Sequence, residues 1–332
     1  MAVKFRTFLN ISRAYSLPMS VMSFFVPFVF ALADGGNVFY GLIALTGIVC
    51  AHLGVNMFDD FADFLLAKKR VKNPSEFYQI FQKGKCAYLL DGSVNLYELF
   101  LFIIVCFTLA LAIGIFLFFK TGIFISWIMF SAAILGILYP FLTYVALGEV
   151  TVGIIFAPLL YMGVYYVMTQ SFCYELLPLA FSTGMLTIGL LHAHMFFDFD
   201  FDKKNKKITL CSLAKTKQNA VKNQGFIMLF AYGNIFYQFC LYLALHAGLS
   251  PVYLLCLLSF PTALVLIDLM DKDALGEKQD IKPNIFYGYL GNLDLYEKIG
   301  NKNFMIKFLV ARNVMVEFTI LLCLAKIIEV CF

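Results

Sequence analysis

Charge is scarce in this chain, and its scarcity narrows the class of protein. Only 14% of the 332 residues are charged and 61% are hydrophobic, whereas soluble domains average about 25% charged residues. The mean hydropathy is +0.84. This composition excludes an ordinary soluble domain and predicts a polytopic membrane protein. Because a bundle of spans forms one unit, residues 1–332 are expected to make a single transmembrane domain.

Three sequence signals are also missing. The nine cysteines include no CxxC pair and no metal-ligand spacing, so we interpret them as small apolar residues rather than as disulfides or metal ligands. The apolar stretch after Arg13 has no convincing cleavage site, so we expect a first span there and no cleavable signal peptide. The Asp-x-x-Asp-Gly-x-x-Ala-Arg pattern of lipid-alcohol phosphotransferases is absent, which disfavours that class of membrane enzyme.

Apolar runs long enough to cross a bilayer predict an all-α bundle of about nine helices around a central cavity. The predicted spans are 16–33, 39–60, 96–118, 122–139, 150–168, 176–197, 225–246, 250–268 and 308–330. The loops expected to form cytoplasmic caps are about 64–95, 198–224 and 269–307.

Basic residues are distributed unevenly between the two sides of these spans. The short turns carry one basic residue, Lys120, whereas the N-terminal segment and the long loops carry most of the others. Positively charged loops stay in the cytoplasm. We therefore expect an integral protein of a bacterial inner membrane, with its N-terminus and long loops in the cytoplasm and its C-terminus outside.

Two clusters of aspartates interrupt this apolar pattern. The first aspartate cluster is Asn56, Asp59, Asp60 and Asp63, and the second aspartate cluster is Asp198, Asp200 and Asp202. Carboxylates within or beside a bilayer are costly and are interpreted by default as functional. The second and sixth spans both run from outside to inside, so both clusters are predicted on the cytoplasmic side, as a shared site requires.

In the first aspartate cluster, helical phase places three polar side chains on one face. Asn56, Asp60 and Asp63 are spaced i, i+4 and i+7, positions that lie on the same side of an α-helix. Asp59 lies to one side of that face. Both clusters are expected at the C-terminal ends of their helices, where the helix dipole disfavours negative charge. A positive group must compensate these acids, and a metal ion is the simplest candidate.

The second aspartate cluster repeats the pattern. Asp198 and Asp202 are spaced i and i+4, His194 lies one turn deeper on the same face, and Asp200 is expected to point elsewhere. Magnesium usually takes one or two protein carboxylates together with substrate phosphate oxygens. Two facing acidic stripes therefore predict two or more Mg²⁺ ions around one diphosphate.

The predicted metal ligands are Asp59, Asp60, Asp63, Asp198 and Asp202. The predicted catalytic residues are Asp60, Asp63, Asp198 and Asp202. Lys204 and Lys207, which follow the second aspartate cluster, are predicted to contact phosphate oxygens. The alternative interpretation is that these acids are solvated interface residues and that the lysines only follow the distribution of basic residues across the membrane.

The two motifs resemble those of a known family. Asn56–Asp63 and Asp198–Asp202 are similar to the two aspartate-rich motifs of the UbiA superfamily of intramembrane aromatic prenyltransferases. The first motif also contains a DDxxD sequence, Asp59–Asp63, with which soluble prenyl diphosphate enzymes hold magnesium. DDxxD alone is a weak signal, but the resemblance continues on both sides of it.

Flanking segments extend this resemblance over most of the chain. Residues 13–18 are similar to the Arg-Pro-x-Thr-Leu-Pro sequence at the family's first helix. Residues 147–169 and 207–210 resemble the branch that prenylates 1,4-dihydroxy-2-naphthoate for menaquinone, as does the four-then-three spacing of the first motif. The chain departs from that branch at residues 194–197, where His-Met-Phe-Phe stands in place of Asn-Asn-x-Arg. It therefore resembles a divergent member.

The resemblance implies transfer of a polyprenyl group from a polyprenyl diphosphate to an aromatic quinone precursor, expected to be 1,4-dihydroxy-2-naphthoate. Magnesium on the diphosphate would draw charge onto the leaving group, and the aromatic ring would attack the carbocation that remains. The implied partners are these two substrates and the lipid bilayer, with no nucleic acid.

The resemblance also implies contacts between substrate and particular side chains. Arg13 would pair with the diphosphate or with the acceptor's carboxylate, and Tyr144 and Glu149 lie near the inferred acceptor position. Asn56 and His194, which lie beside the aspartates, are also predicted to bind substrate. Structural interpretations stay open for two of these residues: Arg13 as an interfacial arginine, and Glu149 as a helix-start glutamate favoured by the helix dipole.

Alternatives from within and outside the family follow from the same residues. Other acceptors used by such enzymes are 4-hydroxybenzoate, homogentisate, a haem and a glycerol phosphate. From a different class, a cation-coupled transporter could use the acids as cation sites. A transporter would be expected to hold them near the bilayer midplane on interrupted helices, whereas these acids are predicted at helix ends.

Overall fold

The computed structural model describes residues 5–71, 73, 77, 86–204, 208–277, 281, 284–298 and 302–332. The fold is all-helical, with 84% helix and no strand among the described residues. Its α-helices are α1 Phe5–Ile11, α2 Leu17–Ala33, α3 Val38–Arg70, α4 Ala87–Leu90, α5 Leu96–Thr121, α6 Phe124–Leu142, α7 Gly148–Ile154, α8 Leu160–Thr169, α9 Leu176–Phe197, α10 Phe199–Lys204, α11 Lys217–Leu245, α12 Phe260–Ala274, α13 Leu293–Lys298 and α14 Lys302–Cys331.

Within this part of the chain, eight helical stretches are long and apolar enough to cross a membrane. They are Ala14–Ala33, Val38–Lys69, Leu96–Thr121, Phe124–Val145, Gly148–Thr169, Leu176–Phe197, Lys217–Leu245 and Pro251–Ala274. These match the first eight predicted spans, and the all-α membrane bundle is thereby confirmed. The ninth predicted span, 308–330, lies within α14, which is not one of the eight.

Local sequence signals set the helix starts. Asn37 accepts hydrogen bonds from the Phe39 and Tyr40 backbone nitrogens at the start of α3, and Asn95 and Glu98 form a capping box at the start of α5. These side chains satisfy N–H groups that have no partner inside the helix. Gly122, with φ of +95°, allows the short turn from α5 to α6.

The fifth span is continuous but not regular. A π-helical turn, Ile155–Leu159, joins α7 to α8 and contains Pro158. Proline lacks the N–H that an α-helix requires and its ring displaces the preceding carbonyl, so the turn widens there. The local effect of this proline is thus a wider turn within an unbroken span.

The bundle buries one large core and leaves apolar side chains on its outside. Fully buried rings include Phe24, Phe30, Tyr161 and Tyr253. By contrast, α5 and α6 expose many large apolar side chains, of which Phe119 is 77% and Trp127 is 67% exposed. Such exposure is expected where helices face lipid rather than water.

Helix α14 runs the full length of the bundle beside α2 and α9. Near its start, Lys307 pairs with Asp273 at the end of α12. Near its other end, Lys326 pairs with Glu175, 3.5 Å away, just before α9 begins. We call the end with Asp273 and the two aspartate clusters the aspartate end of the bundle, and the end with Glu175 the opposite end.

The predicted cap loops are shorter than expected because helices extend into them. Helix α3 continues to Arg70, α4 covers Ala87–Leu90, and α11 begins at Lys217. Much of 72–85 lies outside the described residues. In the third loop, a 3₁₀ turn at Ile285–Tyr287 packs against α12 and α14.

Candidate active site

The first aspartate cluster lies inside a helix and not at its end. Helix α3 continues for seven residues beyond Asp63, to Arg70. The prediction that these acids lie at a helix C-terminus is therefore wrong for the first cluster, and the helix dipole does not act on them as supposed, because it fades beyond the last turn. The charges of Asp59 and Asp60 still require compensation, since these residues are 1% and 2% exposed.

Arg13 supplies that compensation. Its guanidinium donates to Asp59 Oδ2 over 3.4 Å and to Asp60 Oδ1, while the Tyr88 hydroxyl donates to Asp60 Oδ2 over 3.0 Å. Arg13 adopts the left-handed conformation, with φ of 51°, between α1 and the turn Ala14–Ser16. Burial is the largest influence on the pKa of Arg13 and lowers it, but Asp59 and the neighbouring tyrosine and cysteine side chains together leave the pKa above its ordinary value.

A second polar network fixes Asn56. Its side-chain nitrogen donates to the Ser12 carbonyl and to Ser16 Oγ, each over 3.1 Å. The His52 ring then bridges Ser16 and Ser20, with 2.9 Å on both sides. This network joins α2 to α3 and holds the segment that carries Arg13. The two serine partners of His52 give no spacing signal in sequence.

The connection between α6 and α7 links the surroundings of the two clusters. The Tyr144 hydroxyl donates to Asp63 Oδ1 over 3.1 Å. Two residues later, the Ala146 N–H donates to the Ile208 carbonyl over 2.8 Å, in the loop that follows the second cluster. We call residues 143–149 the bridging segment, because one end contacts the first cluster and the other contacts this loop.

Glu149 completes the bridging segment. It is 2% exposed, lies in the first turn of α7, and accepts a hydrogen bond from the Leu210 backbone nitrogen over 3.0 Å. The carboxylate therefore holds the loop after the second cluster. Burial raises the pKa of the neighbouring Cys211 thiol to about 12, and the charges of Glu149 and Asp202 add to that shift. Glu149 and the second cluster thus share one electrostatic environment.

The second aspartate cluster lies where α9 ends. Asp198 follows the last residue of α9 and its carbonyl accepts from the Asp202 N–H over 2.8 Å, so the helical phase continues into α10. Asp202 is 5% exposed. Asp200 points outward, with its side chain 81% exposed, and pairs with Lys217 over 3.0 Å. The two neighbouring acids therefore face different environments.

The remaining predicted substrate contacts are placed as follows. The His194 ring stacks on Phe308 of α14, with 3.9 Å between ring centroids and 8° between planes. Lys207 and the side chain of Lys204 lie outside the described residues. Tyr88 was not predicted, because it lies in the short helix α4, which has no fixed sequence spacing to the aspartates.

The chemistry of the clustered side chains suits a hard cation. All of the predicted ligands are carboxylates, and magnesium prefers oxygen donors. In the described part of the chain, no three His, Cys, Asp or Glu side chains are already grouped to hold a metal ion. Both oxygens of Asp60 are engaged, by Arg13 and Tyr88. The donor types fit Mg²⁺, and at Asp60 a cation would share or replace the contact with Arg13.

Comparisons with known proteins agree with this architecture. A model of the UbiA prenyltransferase family matches residues 20–287. No curated protein matches the sequence. Among solved structures, a digeranylgeranylglyceryl phosphate synthase is 16% identical, with a TM-score of 0.58 and 98% of each chain covered.

Two structures of archaeal UbiA homologues are also similar. The homologue from Aeropyrum pernix K1 is 12% identical, with a TM-score of 0.57, covering 93% of this chain and 97% of its own. The homologue from Archaeoglobus fulgidus bound to GPP and Mg²⁺ is 14% identical, with a TM-score of 0.53, covering 93% and 99%. At these identities the likeness concerns the fold.

Proposed function

The chain belongs to the UbiA prenyltransferase family, and from this membership we propose that it transfers a polyprenyl group from an isoprenyl diphosphate to an aromatic quinone precursor. The first candidate acceptor is 1,4-dihydroxy-2-naphthoate. The observation that carries the proposal is the bridging segment, which contacts Asp63 through Tyr144 and the loop after Asp202 through Ala146 and Glu149. We therefore propose that one diphosphate is held by both clusters at the aspartate end.

The proposed metal ligands are those with carboxylates at that end: Asp59, Asp60, Asp63, Asp198 and Asp202. Bound Mg²⁺ would neutralise the diphosphate and favour its departure as a leaving group. Tyr144 orients Asp63 by its hydrogen bond. Glu149 fixes the loop 208–212, which lies behind the second cluster. Lys204 and Lys207 are proposed to meet phosphate oxygens from that same side.

Arg13 is proposed to act as the internal cation of the site. It neutralises Asp59 and Asp60, which are almost fully buried, and a buried unpaired charge would be expensive. The Arg13 guanidinium already lies beside the acids that would hold the metal when substrate binds. A planar guanidinium suits bidentate contact with phosphate. Arg13 would thereby stabilise the charge that develops on the departing diphosphate.

Acceptor binding is proposed beside the first cluster. Tyr144 is half-buried and its hydroxyl is fixed by Asp63, so its ring offers a defined face to an aromatic acceptor. Glu149 is proposed to act indirectly in acceptor binding, because it holds the loop 208–212 in place. His194, stacked on Phe308, is proposed as a wall of the site. In the membrane, we propose that the aspartate end faces the cytoplasm, as the basic residues of the sequence indicate.

A transfer assay tests this function. Purified protein in lipid is incubated with labelled geranylgeranyl diphosphate, Mg²⁺ and one acceptor at a time: 1,4-dihydroxy-2-naphthoate, 4-hydroxybenzoate, homogentisate, haem or glycerol phosphate. We expect a prenylated, decarboxylated product with the naphthoate, detected by mass spectrometry. The Asp63→Asn, Asp202→Asn double variant is the control. Folded protein that yields neither product nor free diphosphate with any acceptor would contradict the proposal.

A glycerol phosphate acceptor is the second candidate. One of the similar structures is that of a digeranylgeranylglyceryl phosphate synthase, which aligns with 98% of this chain. The ionisation of the diphosphate would be the same, but a hydroxyl in place of an aromatic ring would attack the carbocation. Product with glycerol phosphate and none with the aromatic acceptors would assign this alternative.

A further inference from the structure

Residues 284–290 fold back along the bundle and do not extend away from it. The 3₁₀ turn Ile285–Tyr287 packs against both α12 and α14. Tyr287 is buried, whereas Ile285 is 87% and Tyr289 is 80% exposed. The sequence predicts this stretch as part of a cap over the aspartate end, outside the membrane. Its depth along the bundle decides between that placement and one inside the membrane.

Two lysines of α14 give a scale for depth. Lys307 pairs with Asp273 at the aspartate end and Lys326 pairs with Glu175 at the opposite end. They are 19 residues apart in one continuous helix, or about 28 Å at roughly 1.5 Å per residue. This separation matches the hydrocarbon core of a bilayer, about 30 Å. We therefore take the two ion pairs as markers of its two boundaries.

The contacts of residues 284–290 lie well inside these boundaries. Asn313, six residues beyond Lys307, is about 9 Å deep on this scale, and its side-chain nitrogen donates to the Tyr287 carbonyl over 2.7 Å and to the Tyr289 carbonyl over 3.0 Å. Glu317 lies about 15 Å deep. A Cβ built on Gly288, where φ is +65°, would lie 2.5 Å from Glu317 Oε1.

Counting residues along helix α12 gives a similar depth for Glu317. Glu317 accepts a hydrogen bond from Thr262 over 2.6 Å. Thr262 lies eleven residues before Asp273 in the same helix, or about 16 Å from the aspartate end. Two helices thus place the polar groups around Gly288 at depths from about 9 Å to the middle of the hydrocarbon core.

Several backbone groups of this stretch have protein partners, as hydrocarbon surroundings require. The Phe286 N–H donates to Asn284 Oδ1 and the Tyr287 N–H to the Asn284 carbonyl. Arg312 adds a second donor, 3.0 Å from the Tyr289 carbonyl. A loop in water needs no such protein partners, whereas irregular backbone at membrane depth is tolerated only where protein satisfies it.

We propose that residues 284–290 form a re-entrant segment, whose exposed Ile285, Phe286 and Tyr289 contact the acyl chains of the leaflet at the aspartate end. Ile285 and Tyr289 are largely exposed and Phe286 is half exposed, although the segment rests on two helices. At that depth, the partner for apolar side chains facing outward is lipid. The inference does not depend on the reaction that the protein catalyses.

Tryptophan fluorescence can measure this contact with lipid, because the chain has a single tryptophan to remove. Trp127→Phe removes it from an exposed position, and Phe286→Trp then introduces one reporter at a position that is 50% exposed. Two matched reporters are made in the same background. Phe226→Trp lies nine residues inside α11 on an exposed face, about 13 Å from Lys217 at the aspartate end. Leu275→Trp lies beyond Asp273 and is 60% exposed.

The folded variants are reconstituted into phosphatidylcholine vesicles with acyl-brominated lipid, and aqueous iodide is added separately. We expect brominated lipid to quench Phe286→Trp as strongly as Phe226→Trp, and iodide to quench it several-fold less than Leu275→Trp. Adding Asn313→Ala, which leaves two carbonyls without this donor, should raise iodide quenching at position 286. Lipid and iodide quenching closer to the Leu275→Trp values would overturn the proposal.

Discussion

Replacing Arg13 tests whether this residue or an added metal compensates the first aspartate cluster. Arg13→Gln removes the positive charge and keeps a polar, though shorter, side chain. Asp59 and Asp60 are 1% and 2% exposed, so they would be left buried without their cation. Breaking a buried ion pair costs about 3–5 kcal/mol. Because the Arg13 side chain is itself 21% exposed, we expect the lower end, about 3 kcal/mol.

The assay is thermal unfolding of the purified protein in lipid nanodiscs, in EDTA and in MgCl₂. In EDTA, a loss of that size should lower the Tm by several degrees, with a shift of about 2–4 °C per kcal/mol for large domains. Mg²⁺ should restore much of the lost stability in Arg13→Gln, because a metal can take over the neutralisation. Wild-type protein, whose acids are already paired, should respond less.

The control is an ion pair on the surface. Lys272 and Asp268 lie 2.6 Å apart with side chains 45% and 57% exposed, and an exposed ion pair contributes little to stability because solvent screens it. Lys272→Gln should therefore barely change the Tm, with or without Mg²⁺. If Arg13→Gln is as stable as wild type in EDTA, or gains nothing from Mg²⁺, the compensation argument is refuted.

Three further predictions concern the second cluster and the loop behind it. Asp198→Asn should slow diphosphate release at least about a hundredfold, the scale of a lost electrostatic contact in a transition state. Asp200→Asn breaks only an exposed pair and should cost less than about fivefold; equal losses would mean that the helical phase was misassigned. Glu149→Ala leaves the Leu210 N–H without its acceptor, at about 1–3 kcal/mol, so amide exchange in 208–212 should accelerate, whereas Glu149→Gln should change it little. Burial raises the pKa of Cys211 to about 12, so this thiol stays protonated and unreactive toward N-ethylmaleimide at pH 8 and gains reactivity only as pH approaches that value; labelling as fast as at the exposed cysteines would contradict this.

Hydropathy predicted the spans well because it depends on composition alone. The first eight predicted spans each correspond to a membrane-length helix. Helix ends were less accurate, since α3 continues to Arg70 through residues that are too polar for a span. A helix that leaves the bilayer keeps its hydrogen bonds, so its end is set by capping and packing rather than by hydropathy.

Partners within the site were harder to predict than the aspartates themselves. Arg13 was expected to meet substrate, yet here it pairs with Asp59 and Asp60, 46 and 47 residues away in sequence. Tyr88 and His52 carried no signal, because hydrogen bonds between helices have no fixed spacing in sequence. Glu317 was overlooked for the same reason: its surroundings depend on a segment that folds back from outside the helix.

The most direct test of the central claim is the binding of a non-hydrolysable geranyl thiolodiphosphate, measured by calorimetry with and without Mg²⁺. Wild-type protein, Asp63→Asn and Asp202→Asn are compared. If both clusters hold one diphosphate through metal, binding should require Mg²⁺, each single variant should lose most of the affinity, and the double variant should lose little more. Binding that is independent of Mg²⁺, or unchanged in Asp202→Asn, would contradict a shared site.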